Sequence, residues 1–211
     1  MKYDIFISYS QHDNATHGNW IHRFHDKLVA DFRSRSGIKL IPFLDKENIN
    51  AGDVLSGRLK NALNETRILI PVLSPTYLSS PWCRQEFLHF MDQAGKLIVD
   101  DKCRIVPVQL MPYDRFDPEE SAAQEVERIT GFLNDNSIFY ADFYKDPLPL
   151  RPDENEFGEK IAQFSKDIFE LHKTIREALE EAVVEHRLRA AEAFFGGLED
   201  EVQRAVEAAA Q

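Results

Sequence analysis

The chain has 211 residues, of which 43% are hydrophobic and 11% aromatic, and its formal net charge is −11. This composition suffices for a sizeable hydrophobic core and argues against a disordered chain. The acidic balance argues against nucleic acid as a direct partner. The sequence holds no run of roughly 18 apolar residues, so we expect no transmembrane helix and no membrane partner.

The chain contains only two cysteines, Cys83 and Cys103, and neither belongs to a CxxC pair. We therefore expect neither a disulfide framework nor a bound metal ion. The N-terminus leads directly into an apolar strand and lacks the apolar region of a secretory signal. Together these features predict a reducing, cytoplasmic location.

The predicted elements alternate between strands and helices along the chain. Their ranges are strand 4–8, helix 20–32, strand 38–44, helix 55–63, strand 68–73, helix 80–95, strand 104–110, helix 119–132, strand 137–142 and helix 157–178. Pro42 indicates an edge position or a bulge for the second strand. The alternation predicts an α/β fold of the flavodoxin-like type, with a five-stranded parallel sheet and helices on both faces.

An Ala- and Glu-rich segment follows the last of these helices. Residues 177–211 carry more than half of the net negative charge, and Gly196 and Gly197 interrupt the helical pattern. We interpret residues 1–176 as one domain and residues 177–211 as an acidic helical extension or linker. A pair of helices there would connect the domain to a sensor domain or subunit, or serve in assembly.

Residues 82–86 are the most informative segment for function. Ser80 is a good helix N-cap, and Pro81 then takes the first helical position. Trp82 and Glu86 lie four residues apart on one helical face, beside a separate apolar stripe that faces the core. The stripe comprises Cys83, Phe87, Phe90, Met91 and Ala94. An indole beside a carboxylate suits a cationic, planar ligand linked to ribose, and His89 lies on the same flank.

Other polar residues follow the ends of the first two strands. Ser8, Tyr9 and Ser10 come at the end of the first strand, and Asp45 follows the second. Ligands of parallel sheets bind beyond the carboxyl ends of the strands, so we expect these residues to meet the segment 82–86 at one rim. Hydroxyls and strand-end amides there can hold phosphate or ribose oxygens.

Other roles are open to Trp82 and Cys83, and two other kinds of α/β protein have to be considered. Trp82 either stacks on the ligand or packs in the core, and Cys83 is expected to be a small core residue without a histidine partner. No GxGxxG follows a strand, which excludes a hydride-transfer Rossmann site. A phospho-accepting response regulator needs an aspartate at the end of the third strand, where this chain has Leu73 and Ser74.

Three segments in series resemble a Toll/interleukin-1 receptor (TIR) domain. Residues 4–10 resemble its first box, residues 44–53 its BB loop, and residues 73–86 its third strand and following helix. The resemblance covers residues 1–176. It implies one of two functional classes, because some members of the family are adaptor scaffolds and others cleave NAD+.

The resemblance assigns a role to Glu86, namely stabilisation of the ribosyl cation when nicotinamide leaves. A single carboxylate suffices chemically, because nicotinamide departs as a neutral molecule and needs no general acid. The expected activity is NAD+ hydrolysis to nicotinamide and ADP-ribose or cyclic ADP-ribose, with NAD+ as substrate and no further cofactor. The alternative is a non-catalytic TIR–TIR interaction module.

The resemblance also implies that the BB loop 45–53 gates the NAD+ site and contacts a neighbouring TIR domain, so that self-assembly controls activity. Within the loop, Asp45, Asn50, Ala51 and Gly52 are expected close to the ligand, and Gly52 permits backbone turns that other residues resist. Bacterial relatives commonly act in antiphage immunity, which the resemblance extends to this chain as an expectation.

Overall fold

The computed structural model describes residues 1–44, 57–93, 95, 97–135, 138 and 140–209, with side chains for all of these except 186 and 190–209. The strands are β1 (Tyr3–Ser8), β2 (Pro42–Leu44), β3 (Thr66–Leu73), β4 (Ile98–Val99), β5 (Lys102–Cys103), β6 (Val108–Gln109), β7 (Ala141–Asp142), β8 (Tyr144–Lys145) and β9 (Leu148–Pro149). The helices are α1 (Gln11–Thr16), α2 (Trp20–Ser36), α3 (Gly57–Asn64), α4 (Pro75–Ser79), α5 (Pro81–Gln93), α6 (Glu120–Asp135) and α7 (Asn155–Ala209).

Five of the strands form one parallel sheet in the order β2-β1-β3-β6-β7. In chain order this is 2-1-3-4-5, which is the flavodoxin-like arrangement, so the predicted fold class is confirmed. Phe6 of β1 pairs with Phe43 of β2 on one side and with Leu69 of β3 on the other. The strand order reverses between β1 and β3, which places the expected ligand crevice at the carboxyl ends of these two strands.

Helices cover both faces of the sheet. On one face, Phe6, Leu69 and Leu73 belong to a core cluster that includes residues of α3, α5 and α6. Successive strand residues point to opposite faces, so Ile5 and Ile7 belong to the other face. The helices α2 and α7 pack together on that side, with Phe143 between β7 and β8, through rings in edge-on, stacked or tilted contact, namely Trp20, Phe24, Phe143, Phe157 and Phe164.

Three predicted strands are shorter than expected, and the one predicted over 137–142 forms as β7 (Ala141–Asp142) within the described residues. The strand predicted over 38–44 forms only as β2, and the strand predicted over 104–110 forms as β6 with one isolated bridge between Leu69 and Ile105. Pro42 and Pro107 explain this, because proline has no N–H to donate to a neighbouring strand. The hairpin β4–β5 was not predicted, because its turn uses Asp100 and Asp101 in left-handed conformations without a glycine.

The helical break predicted at Gly196 and Gly197 is wrong, since α7 continues through both residues to Ala209. A glycine costs a helix only about 1 kcal/mol relative to alanine, and the Ala- and Glu-rich flanks favour helix strongly enough to offset two of them. A clustering of residue contacts divides the chain into Met1–His172 and Lys173–Gln211. The proposed boundary after residue 176 stays a prediction.

The second unit is a stretch of α7 with charged and apolar residues at its surface. Ion pairs four residues apart support the helix, for example Arg189 with Glu185 at 2.5 Å. Leu179, Val183, Val184 and Leu188 are all exposed. Within the described part of the chain, no helix is both long and apolar enough to cross a membrane.

Candidate active site

A cleft of about 460 Å³ opens at the carboxyl ends of β1 and β3. Its lining comes from the end of β1, from α1, from α4 and from the first turns of α5, and comprises Ile7, Tyr9, Ser10, Gln11, His12, Thr76, Ser79, Ser80, Trp82, Cys83 and Glu86. The volume lies within the range of roughly 300–1,000 Å³ that small-molecule sites occupy. The segments after β1 and β3 that the sequence expectation placed at one rim therefore do meet there.

The start of α5 places Glu86 in this cleft. Ser80 caps the helix as predicted, because its carbonyl accepts from Arg84 N–H at 3.2 Å and its Oγ accepts from Cys83 N–H at 3.4 Å. Pro81 then occupies the first helical position, where a missing N–H costs nothing. Glu86 follows one turn after Trp82 and is only 6% exposed, although it lines the cleft.

Ser8 and Tyr77 lie behind Glu86 and orient its carboxylate. Ser8 Oγ donates to Glu86 Oε2 at 2.5 Å, and it lies 3.0 Å from the Tyr77 hydroxyl. Since the single proton of Ser8 goes to Glu86, the proton of the Tyr77 hydroxyl is shared between Ser8 Oγ and the carbonyl oxygen of Cys83, which lies 3.3 Å away. The hydroxyls of Ser8 and Tyr77 together hold the carboxylate in one orientation.

The groups around Glu86 stay protonated at neutral pH. Burial raises the pKa of Tyr77 well above its ordinary value, and the negative charges that Cys83 and Glu86 carry when ionised raise it further. Burial also raises the pKa of the Cys83 thiol strongly, with the negative charges of Glu86 and Asp13 adding to the effect. A protonated, buried thiol is a poor nucleophile, so Cys83 is a packing residue.

The other residues predicted to contact the ligand lie at different depths of the cleft. Tyr9 lines the cleft, and its hydroxyl lies 3.3 Å from His22 Nε2. The Ser10 side chain also lines the cleft and makes no capping bond to α1. Ser8 itself is buried behind Glu86 and does not line the cleft. Trp82 does both things that were considered for it, because it lines the cleft while packing partly against the core cluster.

Five further residues of the sequence prediction are not among the cleft residues that the structure describes. Asp45, Asn50, Ala51 and Gly52 of the BB loop lie outside the described residues. His89 is not among the cleft residues and instead lies 3.0 Å from Asn64 Oδ1 through its Nε2.

The sequence prediction missed cleft residues of α1 and α4, namely Gln11, His12, Thr76 and Ser79. Both helices are a turn or two long, so they carry no periodic signal by which a sequence pattern could reveal them. Ser74 gave a usable hint, because a serine before a proline is a typical helix start. Across the described ranges, no group of three or more His, Cys, Asp or Glu side chains could hold a metal ion.

Comparison with known proteins relates the chain to one family. Residues 5–161 match the sequence model of the family described as the TIR domain. The chain is 25% identical over 127 residues to a protein of Brachypodium distachyon named "probable 2′ cyclic ADP-D-ribose synthase", a match covering 59% of this chain and 49% of that protein. It is 26% identical over 93 residues to an NAD+ hydrolase of Staphylococcus aureus, covering 44% of this chain and 30% of that one.

A solved structure of the TIR domains of the activated Roq1 resistosome has a TM-score of 0.46 and 23% identity, and it covers 79% of this chain and 99% of that chain. The chain spans half or less of the length of the curated relatives it matches.

Proposed function

The chain belongs to the TIR domain family, and from this premise we propose that it is an enzyme that cleaves the bond between nicotinamide and ribose in NAD+. The observation that carries the proposal is the buried Glu86 carboxylate in a cleft of ligand size, with the Trp82 indole one turn away on the same helix. The names of relatives as an NAD+ hydrolase and a cyclic ADP-ribose synthase support the same chemistry.

In the proposed reaction the bond between ribose C1′ and the pyridinium nitrogen breaks heterolytically. The bonding electrons pass to the ring nitrogen, and nicotinamide leaves as a neutral molecule. The positive charge that develops on the ribose is stabilised by the Glu86 carboxylate, which the hydroxyls of Ser8 and Tyr77 keep in place. Water then adds to C1′ and loses a proton to give ADP-ribose, or a nucleophile of the same molecule adds and gives a cyclic product.

The remaining cleft residues take binding roles in this proposal. Trp82 stacks against the planar part of the substrate, with the energy of an aromatic pair. Tyr9 and Ser10, at the carboxyl end of β1, contact ribose or phosphate oxygens, and Ser8 acts through Glu86. NAD+ is the substrate and no further cofactor takes part. The BB loop residues Asp45, Asn50, Ala51 and Gly52 belong to the proposal through the family resemblance alone.

Release of nicotinamide from NAD+ by the purified chain tests the proposal. Glu86→Gln keeps the shape of the side chain and removes its charge, so we expect release to fall to background. Asp92→Asn is the matched control, because Asp92 is an exposed acid of the same helix that pairs with Arg128. Mass spectrometry of the products separates linear from cyclic ADP-ribose. No release from any variant, with assembly verified by light scattering, would leave a TIR–TIR interaction module as the function.

We also infer that self-association activates the enzyme, with contacts through the BB loop 45–53 and with residues 177–211 as the attachment to a sensor domain or subunit. The exposed apolar residues of the second unit, Leu179, Val183, Val184 and Leu188, support this, because such residues on a helix favour association. Specific activity should rise with protein concentration. An activity per molecule that stays constant across the dilution series in which the assembly dissociates would contradict it.

The setting that we propose is antiphage immune signalling in bacteria, in the cytoplasm, and it rests on the family resemblance. Cells that express the chain should resist some phages, and the same cells with Glu86→Gln should not. Equal plaque counts for both strains over a broad phage panel would contradict a role in antiphage immunity, without contradicting the proposed cleavage of NAD+.

A further inference from the structure

A second buried carboxylate lies beside the cleft. Asp13 is on α1, directly after the cleft residue His12, and is only 4% exposed. Its Oδ2 accepts from Ser74 Oγ at 2.5 Å, and its Oδ1 accepts from the hydroxyl of Thr76. A buried carboxylate is destabilising unless hydrogen bonds satisfy it, and here two hydroxyl groups converge on one side chain for that purpose.

Asp13 and Glu86 are connected through Ser74, Tyr77 and Ser8. Ser74 caps α4, because its Oγ accepts from Tyr77 N–H at 2.9 Å. The Tyr77 hydroxyl then reaches Ser8, and Ser8 donates to Glu86. Tyr77 therefore connects the two carboxylates. Its backbone N–H is held by Ser74 on the Asp13 side, and its hydroxyl contacts Ser8 on the Glu86 side.

The direction of each hydrogen bond follows from the two carboxylates. An ionised carboxylate can only accept, so Asp13 takes the proton of Ser74 and leaves the Ser74 oxygen to accept from Tyr77 N–H. Glu86 likewise takes the proton of Ser8 and leaves the Ser8 oxygen to accept from the Tyr77 hydroxyl, whose proton is shared with the carbonyl oxygen of Cys83. Without the charge on Asp13, Ser74 would be free to turn its proton elsewhere, and α4 would lose a fixed position for Tyr77.

Both carboxylates also act on Cys83, which lines the cleft. The negative charges of both Glu86 and Asp13 contribute to the raised pKa of its thiol. The two carboxylates are therefore close enough to act on one point of the cleft.

We propose that Asp13 is a positioning residue of the Glu86 site, which fixes the Glu86 carboxylate through Ser74, Tyr77 and Ser8. The inference rests on the proposed function for its catalytic consequence. Asp13 does not line the cleft, so it acts on the orientation of the anion that stabilises the ribosyl cation, and not on substrate binding. Its loss should therefore lower kcat and leave KM for NAD+ nearly unchanged.

The first experiment compares Asp13→Asn with Asp4→Asn. Asp4 is an equally buried acid of β1 that accepts from Ile41 N–H at 2.8 Å and lies 3.0 Å from His172 Nε2, far along the strand from the cleft. We expect Asp13→Asn to lower kcat about tenfold or more, the equivalent of one lost hydrogen bond to a charged group, with KM changed less than about threefold. Asp4→Asn should destabilise the fold while keeping kcat.

Equal losses of kcat in the two variants, measured at a temperature where both are folded, would overturn the proposal. A full kcat in Asp13→Asn would overturn it as well. Ser74→Ala and the double variant with Asp13→Asn add a second test, because residues that act through one connection are not additive. The double variant should be no slower than the slower single variant, and a multiplication of the two single effects contradicts the connection.

Crystal structures of the variants give a readout that needs no NAD+ cleavage. In Asp13→Asn we expect the Tyr77 hydroxyl to move away from Ser8 Oγ and the Glu86 carboxylate to lose its contact with Ser8, whereas Asp4→Asn should keep both contacts. Unchanged positions of Tyr77, Ser8 and Glu86 in Asp13→Asn overturn the proposal even if wild-type activity is found. A displaced Glu86 carboxylate in a chain that releases no nicotinamide supports the arrangement and refutes only the proposed function.

Discussion

Replacing Ser8 with alanine removes the hydroxyl that donates to Glu86 Oε2 at 2.5 Å. A hydrogen bond to a charged group contributes about 1.5–3 kcal/mol. If that free energy is what keeps the carboxylate oriented toward the ribose, its loss corresponds to about a 10- to 150-fold fall in kcat. The assay is nicotinamide release at saturating NAD+, with the melting temperature of each variant measured alongside.

Two further variants separate orientation from general loss of packing. Tyr77→Phe removes the donor to Ser8 but leaves Ser8 free to donate to Glu86, so kcat should fall by less than about tenfold, the size of one neutral hydrogen bond. Ser165→Ala is the matched control for Ser8→Ala, because Ser165 is a buried serine whose Oγ has no hydrogen-bond partner in the described part of the chain. It should keep both kcat and stability.

A different outcome would refute this reasoning. A hydrogen bond also draws charge from a carboxylate, so a Ser8→Ala variant with unchanged or higher kcat would mean that the bond weakens Glu86 more than it orients it. A kcat lower in Tyr77→Phe than in Ser8→Ala would mean that the tyrosine acts by another route than through Ser8.

Three more predictions concern stability and assembly. Burial alone would raise the pKa of Asp4, but hydrogen bonds from His172 and a backbone N–H, together with nearby positive charge, lower it below its ordinary value of 3.8. Ionised Asp4 therefore stabilises the fold fully above pH 3.8, and this stability is lost as the pH falls through the lower pKa of the folded state. Asp4→Asn should flatten the acid limb of a urea-denaturation series measured against pH. Arg84→Ala frees two carbonyls at the end of α4 and should cost about 3 kcal/mol of unfolding free energy by the same method. Val184→Glu with Leu188→Glu should lower the assembled fraction in light scattering, and an unchanged fraction contradicts a role for this surface.

Short-range sequence patterns predicted the parallel sheet and the part of the site that lies on α5. The β–α alternation predicted the parallel sheet because each strand is an apolar run of its own and parallel strands need helical crossovers. The pair Ser80 and Pro81 placed the start of α5 to the residue, since capping depends on near neighbours only. From that start, Trp82 and Glu86 follow by helical geometry on one face, and the structure has both in the cleft.

The burial of Glu86 was not predictable in the same way. Its partner Ser8 is 78 residues away and the partner of Ser8 is 69 residues away, so no local pattern connects them. Asp13 shows the same limit, because its partners Ser74 and Thr76 lie more than 60 residues along the chain. The sequence predicted that the segments after β1 and β3 meet at one rim, but it did not indicate which side chains of the two segments would pair.

The cost of burying Glu86 distinguishes the enzyme from an interaction module. A buried carboxylate lowers stability relative to a neutral side chain of the same shape, even when hydrogen bonds satisfy it. Glu86→Gln keeps an oxygen that accepts from Ser8 and removes the charge, so the variant should be as stable as the wild type or more stable. Stability gained together with lost nicotinamide release is the trade-off expected of an active site. A variant that is clearly less stable would mean that the charge on Glu86 supports the fold, and its burial would then carry no argument for catalysis.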